Sequence, residues 1–143
     1  MHFLGTSEYA MDERGRVPLP PRYRDAFREG IVLSQGSPDR CLRVYTQSSF
    51  DVQAREWTAH SAMRRKGRDL RKLFSRSFET ELDKQNRILI PAGLRSYAGL
   101  DGKVLVIGAG ECLEIWAPDA YAQEMERVDA DLEATLESIE ARE

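Results

Sequence analysis

The sequence has only two cysteines, Cys41 and Cys112, and only two histidines, His2 and His60. The cysteines have no CxxC spacing, which excludes a disulfide scaffold and the usual zinc sites. Neither histidine has a metal or triad partner in sequence, and no GxxxxGKS/T or GxGxxG phosphate loop is present. Long apolar runs are missing too. Val104-Leu105-Val106-Ile107 and Ile88-Leu89-Ile90 are the longest, far short of the roughly 20 residues that a membrane span needs. No basic-then-apolar leader opens the sequence, so a soluble cytoplasmic protein is expected. An excess of one charge is also lacking: 21 Lys+Arg stand against 24 Asp+Glu, a net charge of -3. Taken as a total, that charge argues against nucleic acid as a partner. What is there is ordinary: the 143 residues are 41% hydrophobic and 31% charged. That excludes wholesale disorder and fits one domain or two very small units.

The distribution of charge reverses the first inference. Residues 119–143 hold nine acids and two bases, a net of -7, which leaves +4 for everything before them. Arg55, Arg64, Arg65, Lys66, Arg68, Arg71, Lys72 and Arg76 crowd one stretch, opposed by Glu56 and Asp69. A positive body with an acidic tail is a pattern of nucleic-acid interaction, although each run taken alone reads most simply as a solvated helix face.

An internal repeat is present. Shifted by 71 residues, Asp12-Glu13-Arg14-Gly15-Arg16 lies over Asp83-Lys84-Gln85-Asn86-Arg87, and Pro20 and Arg24 lie over Pro91 and Arg95. The same offset pairs Cys41 with Cys112, Val44 with Ile115, Tyr45 with Trp116 and Phe50 with Tyr121. One unit of about 50 residues therefore occurs twice. Such a unit is too small to bury much surface alone, so the copies should share a core around a pseudo-two-fold axis.

Each copy reads as strand, tight polar loop, strand. In the second, Phe78–Leu82 and Arg87–Ile90 flank the loop, and Gly15 and Asn86 supply the tolerance for positive φ. Pro20 and Pro91 stop the strands, and Pro21–Phe27 and Ala92–Ala98 fit short helices. A second strand pair follows, Ile31–Leu33 with Cys41–Tyr45 and Val104–Ile107 with Cys112–Trp116, and the cysteines read as small buried hydrophobes. Ser48 or Ser49 is the expected cap of the next helix and Asp119 that of the last. Ser61–Ser75 is expected to be helical, weakened by Gly67. Tyr121, Met125, Val128, Leu132, Leu136 and Ile139 recur at helical spacing, a one-sided stripe expected to pack on the body or on another subunit.

Asp12 and Asp83 invite reading as a catalytic carboxylate pair. Each stands four residues before an arginine in a tight loop, so they read instead, with Gly15 and Asn86, as residues that shape it. Arg14, Arg16, Lys84 and Arg87 lie on or beside the loops, and Arg22, Arg24 and Arg95 follow them. A two-stranded ribbon presenting such residues fits a major groove, with arginine reading guanine edges and either cation holding phosphate. One such arginine alone would read as exposed or salt-bridged; repetition in both copies favours DNA.

These residues also carry a resemblance. Met1-His2-Phe3-Leu4-Gly5, the two DxxxR loops, Pro20-Pro21-Arg22-Tyr23-Arg24, Ile88-Leu89-Ile90-Pro91 and Glu114-Ile115-Trp116 resemble the MraZ family of transcriptional regulators over nearly the whole length. The doubled DxxxR signature is specific. His2 is an insertion-like departure, Asn86 stands where glycine is common, and Pro18 implies a short or edge strand. The resemblance implies an α+β fold of two tandem, pseudo-two-fold-related, swapped-hairpin SpoVT/AbrB-like units of the double-split β-α-β kind, with short helices and a long C-terminal helix. The expected organisation is unit 1 at 5–47, a basic helical linker at 48–75, unit 2 at 76–119 and an acidic helix at 120–143. The resemblance further implies a ring-shaped homo-oligomer bound to promoter direct repeats of its own operon of cell-division and wall genes, usually as a repressor, in the cytoplasm and on the nucleoid. No cofactor, metal, membrane or small-molecule substrate is expected, and with no nucleophile–base pair an enzyme is not expected. The alternative is an antitoxin-like or partner-protein-binding module that uses the acidic helix.

Overall fold

The computed structural model describes residues 2–60 and 64–141. Eight strands and four α-helices follow in the order β1 (Thr6–Ala10), β2 (Arg16–Pro18), β3 (Ile31–Gly36), β4 (Cys41–Thr46), α1 (Gln47–His60), α2 (Arg64–Ser75), β5 (Ser77–Thr80), β6 (Arg87–Leu89), α3 (Ala92–Ala98), β7 (Lys103–Gly108), β8 (Leu113–Trp116) and α4 (Pro118–Glu140). Of the expected helical segments, residues 61–63 of the linker and 142–143 of the tail lie outside the described residues.

The pairing of strands differs from simple hairpins. β1 and β2 flank the first loop, yet β1 pairs with β7 and β2 with β6. Likewise β5 pairs with β3, not with β6. The loop turns the chain, but its two flanks go to different sheets. Each side of the loop carries enough apolar residues for a separate surface. Val17, Leu19, Ile88 and Ile90 bury in the small sheet's underside while β1 and β5 edge the large one.

The larger sheet has six antiparallel strands in the order β1-β7-β8-β4-β3-β5. With each strand replaced by its counterpart in the other copy, that order reads the same from the opposite edge. The register locates the axis. Val17 lies opposite Ile88 in the two-stranded β2/β6 sheet, and Arg43 lies opposite Glu114 at the centre of the large sheet. Both pairs are a residue facing its own repeat partner. A pseudo-two-fold axis therefore passes through both sheets, between residues that the 71-residue offset superposes.

The core lies between the two sheets. Val17, Leu19, Ile88 and Ile90 from one layer pack with Leu33, Leu42, Val44, Val104, Val106, Leu113 and Ile115 from the other, all at 3% exposure or less. Both copies supply it, and each such aliphatic side chain contributes about 1.5–3 kcal/mol on burial. The other face of the large sheet is covered by α1, through Phe50 on Tyr45, and by α4, through Tyr121 on Trp116.

Several local expectations need correction. Pro21–Phe27 is not a helix like Ala92–Ala98 but two single 3-10 turns, Pro21–Tyr23 and Asp25–Phe27. α3 ends on Gly99 with φ of 62°, where the chain turns left-handed. Its counterpart is Arg28, which stays right-handed, so the first copy lacks the glycine exit that closes an α-helix. The cap of α1 is Thr46 and not Ser48 or Ser49. The Thr46 hydroxyl accepts the Ser49 N–H at 3.1 Å, and the Ser49 hydroxyl accepts the Thr46 N–H at 3.0 Å. Asp119 does not cap α4: Ala117 takes that position without a side-chain bond, Pro118 follows at the first turn, and Asp119 sits within it. The stripe on α4 packs on the body only at its start, because the helix runs past the sheet: Leu132, Leu136 and Ile139 are exposed.

Candidate nucleic-acid interface

The two DxxxR loops have one internal design. In the first, the Gly15 N–H donates to the Asp12 carbonyl at 3.0 Å and the Asp12 N–H to the Arg16 carbonyl at 3.0 Å. The Asp12 carboxylate then gathers the loop: Oδ1 accepts the N–H groups of Arg14 and Arg16, each at 2.9 Å, and Oδ2 accepts Arg16 Nε at 2.7 Å. In the second, Asp83 Oδ1 accepts the N–H groups of Gln85 and Arg87 at 2.9 Å, and Oδ2 accepts Arg87 Nε at 3.0 Å. The fourth residue must turn left-handed, and it does: φ is 86° at Gly15 and 59° at Asn86.

The loops also hold each other. The Leu19 N–H donates to the Asn86 carbonyl at 3.2 Å, and the Ile90 N–H to the Gly15 carbonyl at 2.9 Å. These bonds are counterparts across the axis. Arg87 Nη1 reaches Asp12 Oδ2 at 3.4 Å, joining one loop's arginine to the other loop's carboxylate. Val17 and Ile88, both fully buried, lie between. Two loops thus stand side by side on a rigid two-stranded base.

Electrostatics follow from the same bonds. The Arg16 backbone N–H, aided by the Arg16 guanidinium and the Arg14 N–H, outweighs desolvation and holds Asp12 at about 2 against an ordinary 3.8. The Arg87 N–H and its neighbours lower Asp83 in the same direction. Both carboxylates are ionised at neutral pH, each locked to an arginine, so neither is placed to move protons. The thiols are withdrawn from chemistry as well: burial pushes Cys112 up to about 12, and Cys41 higher still. No group of three or more His, Cys, Asp or Glu suited to a metal ion occurs among the described residues. No described helix is long and apolar enough to cross a membrane.

The seven predicted cations separate into different surroundings. Arg14 and Lys84 are exposed at the loop tips, and no side-chain partner holds either among the described residues. Arg16 and Arg87 are mostly spent on the carboxylates, with side-chain exposures of 30% and 24%. They share the loop-shaping role assigned to Asp12, Gly15, Asp83 and Asn86. Arg22 donates to the Leu4 carbonyl at 2.6 Å and lies over the Tyr23 ring, fastening the N-terminal segment. Arg24 is exposed on the turn after it. Arg95 lies flat on Gly15: a Cβ there would stand 2.8 Å from the guanidinium. It lines a cleft with Asp12, Glu13, Ser96 and Asp101, and its Nε has no hydrogen-bond partner among the described residues. The structure therefore brings Arg14, Arg16, Lys84, Arg87 and Arg95 to the loop pair, and sets Arg22 to bracing the chain start. Sequence reasoning missed the cross-loop bonds of Leu19 and Ile90. The offset already held the signal, since an antiparallel pair on a two-fold axis must oppose counterparts.

A family model described as "MraZ protein, putative antitoxin-like" matches twice in tandem, over residues 2–72 and 73–142. The chain is similar to the transcriptional regulator MraZ of Thermomicrobium roseum, 38% identical over 130 residues that cover 90% of this chain and 91% of that one. It is 38% identical to the transcriptional regulator MraZ of Kocuria rhizophila over 138 residues, 96% of each chain. The protein of the same name from Nocardioides sp. is 45% identical over 119 residues, 82% of each.

Proposed function

The chain belongs to the MraZ family, and on that premise we propose that it is a transcriptional regulator that binds duplex DNA in a sequence-specific way through its two DxxxR loops. The observation that carries this reading is the loop pair itself. Two copies of one carboxylate-organised loop stand on one axis, with Arg14 and Lys84 exposed at their tips. A two-stranded ribbon of this width enters a major groove, where arginine pairs with guanine edges and either cation with phosphate. Arg24 and Arg95 would extend the contact to flanking phosphates. The interlocked β1/β7, β2/β6 and β3/β5 pairings support the swapped-hairpin SpoVT/AbrB-like arrangement of two units at 5–47 and 76–119, joined by the basic linker at 48–75 and followed by the acidic helix.

The family resemblance extends the proposal to a ring of identical copies, each engaging one of several direct repeats upstream of its own operon of cell-division and wall genes. Occupancy there would occlude the promoter, strengthened by avidity. The site of action is then the nucleoid. A gel shift with the region upstream of its own gene tests this. A shift that survives non-specific competitor and weakens about tenfold or more with Arg14→Ala/Lys84→Ala supports the assignment. Equal binding by a scrambled fragment overturns it. A second reading, a module that captures another protein, draws on the unpaired outer half of α4. Deleting residues 131–143 separates the two, since only the second reading places the recognition surface there.

A further inference from the structure

The two loops are not held equally. Gly15 is buried although it lies in a loop, because Arg95 covers it from the other copy. A Cβ on Gly15 would stand 2.8 Å from Arg95 Nη1 and 2.9 Å from both Cζ and Nε, so the guanidinium faces the backbone with its flat side. The Gly15 carbonyl also accepts the Ile90 N–H at 2.9 Å. One short stretch of the second copy, from Ile90 to Arg95, thus grips the first loop twice. The second loop keeps only the equivalent backbone bond, from the Leu19 N–H to the Asn86 carbonyl at 3.2 Å. Arg24, the counterpart of Arg95, is exposed.

Three differences within the repeat account for this. Asn86 stands at the place of Gly15, and a guanidinium seated in the same way would meet its Cβ. Glu13 and Asp101, which line the cleft with Arg95, are replaced by Lys84 and Gly30. The acid that the first copy has in exchange, Asp25 at the place of Ser96, is spent on Arg28 at 2.6 Å. Acids therefore favour Arg95 in its seat, while a lysine at the corresponding corner opposes Arg24. Arg95 Nε is buried in that seat with no hydrogen-bond partner among the described residues. Flat packing and the surrounding acids hold it, not a bond from Nε, and a lysine has no planar face to put in its place.

We propose that Arg95 is a positioning residue for sequence recognition: it clamps the first loop across the axis, so that Arg14 meets a base edge from a fixed seat, whereas Lys84, on the loop without a clamp, serves as a phosphate contact. Arginine reads guanine through two bonds at once, which demands a set geometry; lysine holds phosphate as a point charge, which tolerates movement. A loop ordered before binding also has less freedom to lose on contact. The inference rests on the reading of the loops as the DNA-binding surface, and adds that specificity is divided unequally between them.

Fluorescence anisotropy on the full chain tests it, with a duplex from upstream of its own gene and a scrambled duplex, over a range of salt concentrations. Circular dichroism confirms that each variant is folded. Arg95→Lys keeps the charge and loses the flat face. It should weaken binding to the upstream duplex by about tenfold more than binding to the scrambled one, without making the salt slope shallower. In that background Arg14→Ala should cost much less than in the wild type, whereas Lys84→Ala should cost the same in both. Discrimination as good as wild type in Arg95→Lys, or additive losses from Arg95→Lys and Arg14→Ala, would overturn the clamp while leaving the loops as the DNA-binding surface. Equal wild-type affinity for the two duplexes overturns the reading of the loops, and the inference with it. Nitrogen relaxation of the arginine Nε groups by NMR checks the clamp without DNA. Arg95 should be ordered and Arg24 averaged in the free protein, and equal mobility of the two overturns the clamp whatever the binding shows.

Discussion

Replacing Glu114 with arginine puts two guanidinium groups on the pseudo-two-fold axis, and the cost can be worked from the geometry. Arg43 Nε lies 3.6 Å from Glu114 Oε2, with side-chain exposures of 26% and 16%. At about 4 Å and an effective dielectric near 20, two unit charges interact by about 4 kcal/mol. Arg43 can still swing partly into water, which reduces the penalty to about 2 kcal/mol. Glu114 Oε1 also accepts the Trp116 indole N–H at 2.9 Å, on a residue only 4% exposed. Losing that acceptor adds about 1 kcal/mol or more. Glu114→Arg should therefore cost about 3 kcal/mol, a fall on the order of 10 °C in melting temperature for a domain of this size. Arg43→Glu, which spares the indole bond, should cost about 2 kcal/mol, the like-charge penalty alone. The double reversal restores opposite charges, so it should recover most of both penalties except the indole bond. Urea denaturation of the four proteins yields the coupling. A coupling below about 0.5 kcal/mol would refute the reasoning, because the pair would then behave as a solvent-screened surface bridge.

Three further outcomes follow from the loops. Gly15→Ala should lose about 1–2 kcal/mol, because φ of 86° is unfavourable to a side chain and Arg95 must move; Asn86→Gly should stay within about 0.5 kcal/mol, which a paired thermal melt checks. Asp12 is depressed to about 2, so its stabilisation is fully present above the ordinary 3.8 and is lost as pH falls from there through 2. A carboxyl carbon titration by NMR should find its midpoint near 2, with Asp83 also below its ordinary value; a midpoint at 3.8 would show the loop bonds are not held in solution. If Arg14 holds a phosphate, Arg14→Ala should make the slope of log affinity against log salt shallower by about 0.9, and an unchanged slope would assign it to a base or to no contact.

The loops were legible in the sequence because their chemistry is local. An Asp four residues before an Arg, with Gly or Asn between them, dictates an Asx-type turn whatever surrounds it. The partners of the flanking strands were not legible, because Val17 or Ile88 looks equally apolar whether its ladder is within one copy or between two. Only the register reveals that they oppose each other. The Thr46 cap escaped because its reciprocal partner is Ser49, not the Glu or Gln of the usual capping box. The first copy also has Arg28 where the second has Gly99 and reaches a positive-φ glycine only at Gly30, a difference that the apolar pattern does not register. The functional split among the arginines was hidden for a different reason. Composition counts Arg14 and Arg16 alike, whereas the geometry commits the guanidinium of Arg16 to Asp12 and leaves that of Arg14 at the tip.

The repeat has kept the frame of the loop and changed its tip. Asp, the left-handed fourth residue and the closing Arg recur in both copies, while Glu13 and Arg14 face Lys84 and Gln85 as counterparts. A two-fold frame with identical tips would favour a palindrome, since each tip would meet the same bases on opposite strands. With the cation moved by one position between copies, the two tips present different chemistry, and the surface gains a direction along the duplex. Repeats read by such a surface should all point the same way. On the proposed reading, the divergence at the loop tips gives the surface the polarity that direct repeats, rather than a palindrome, would match.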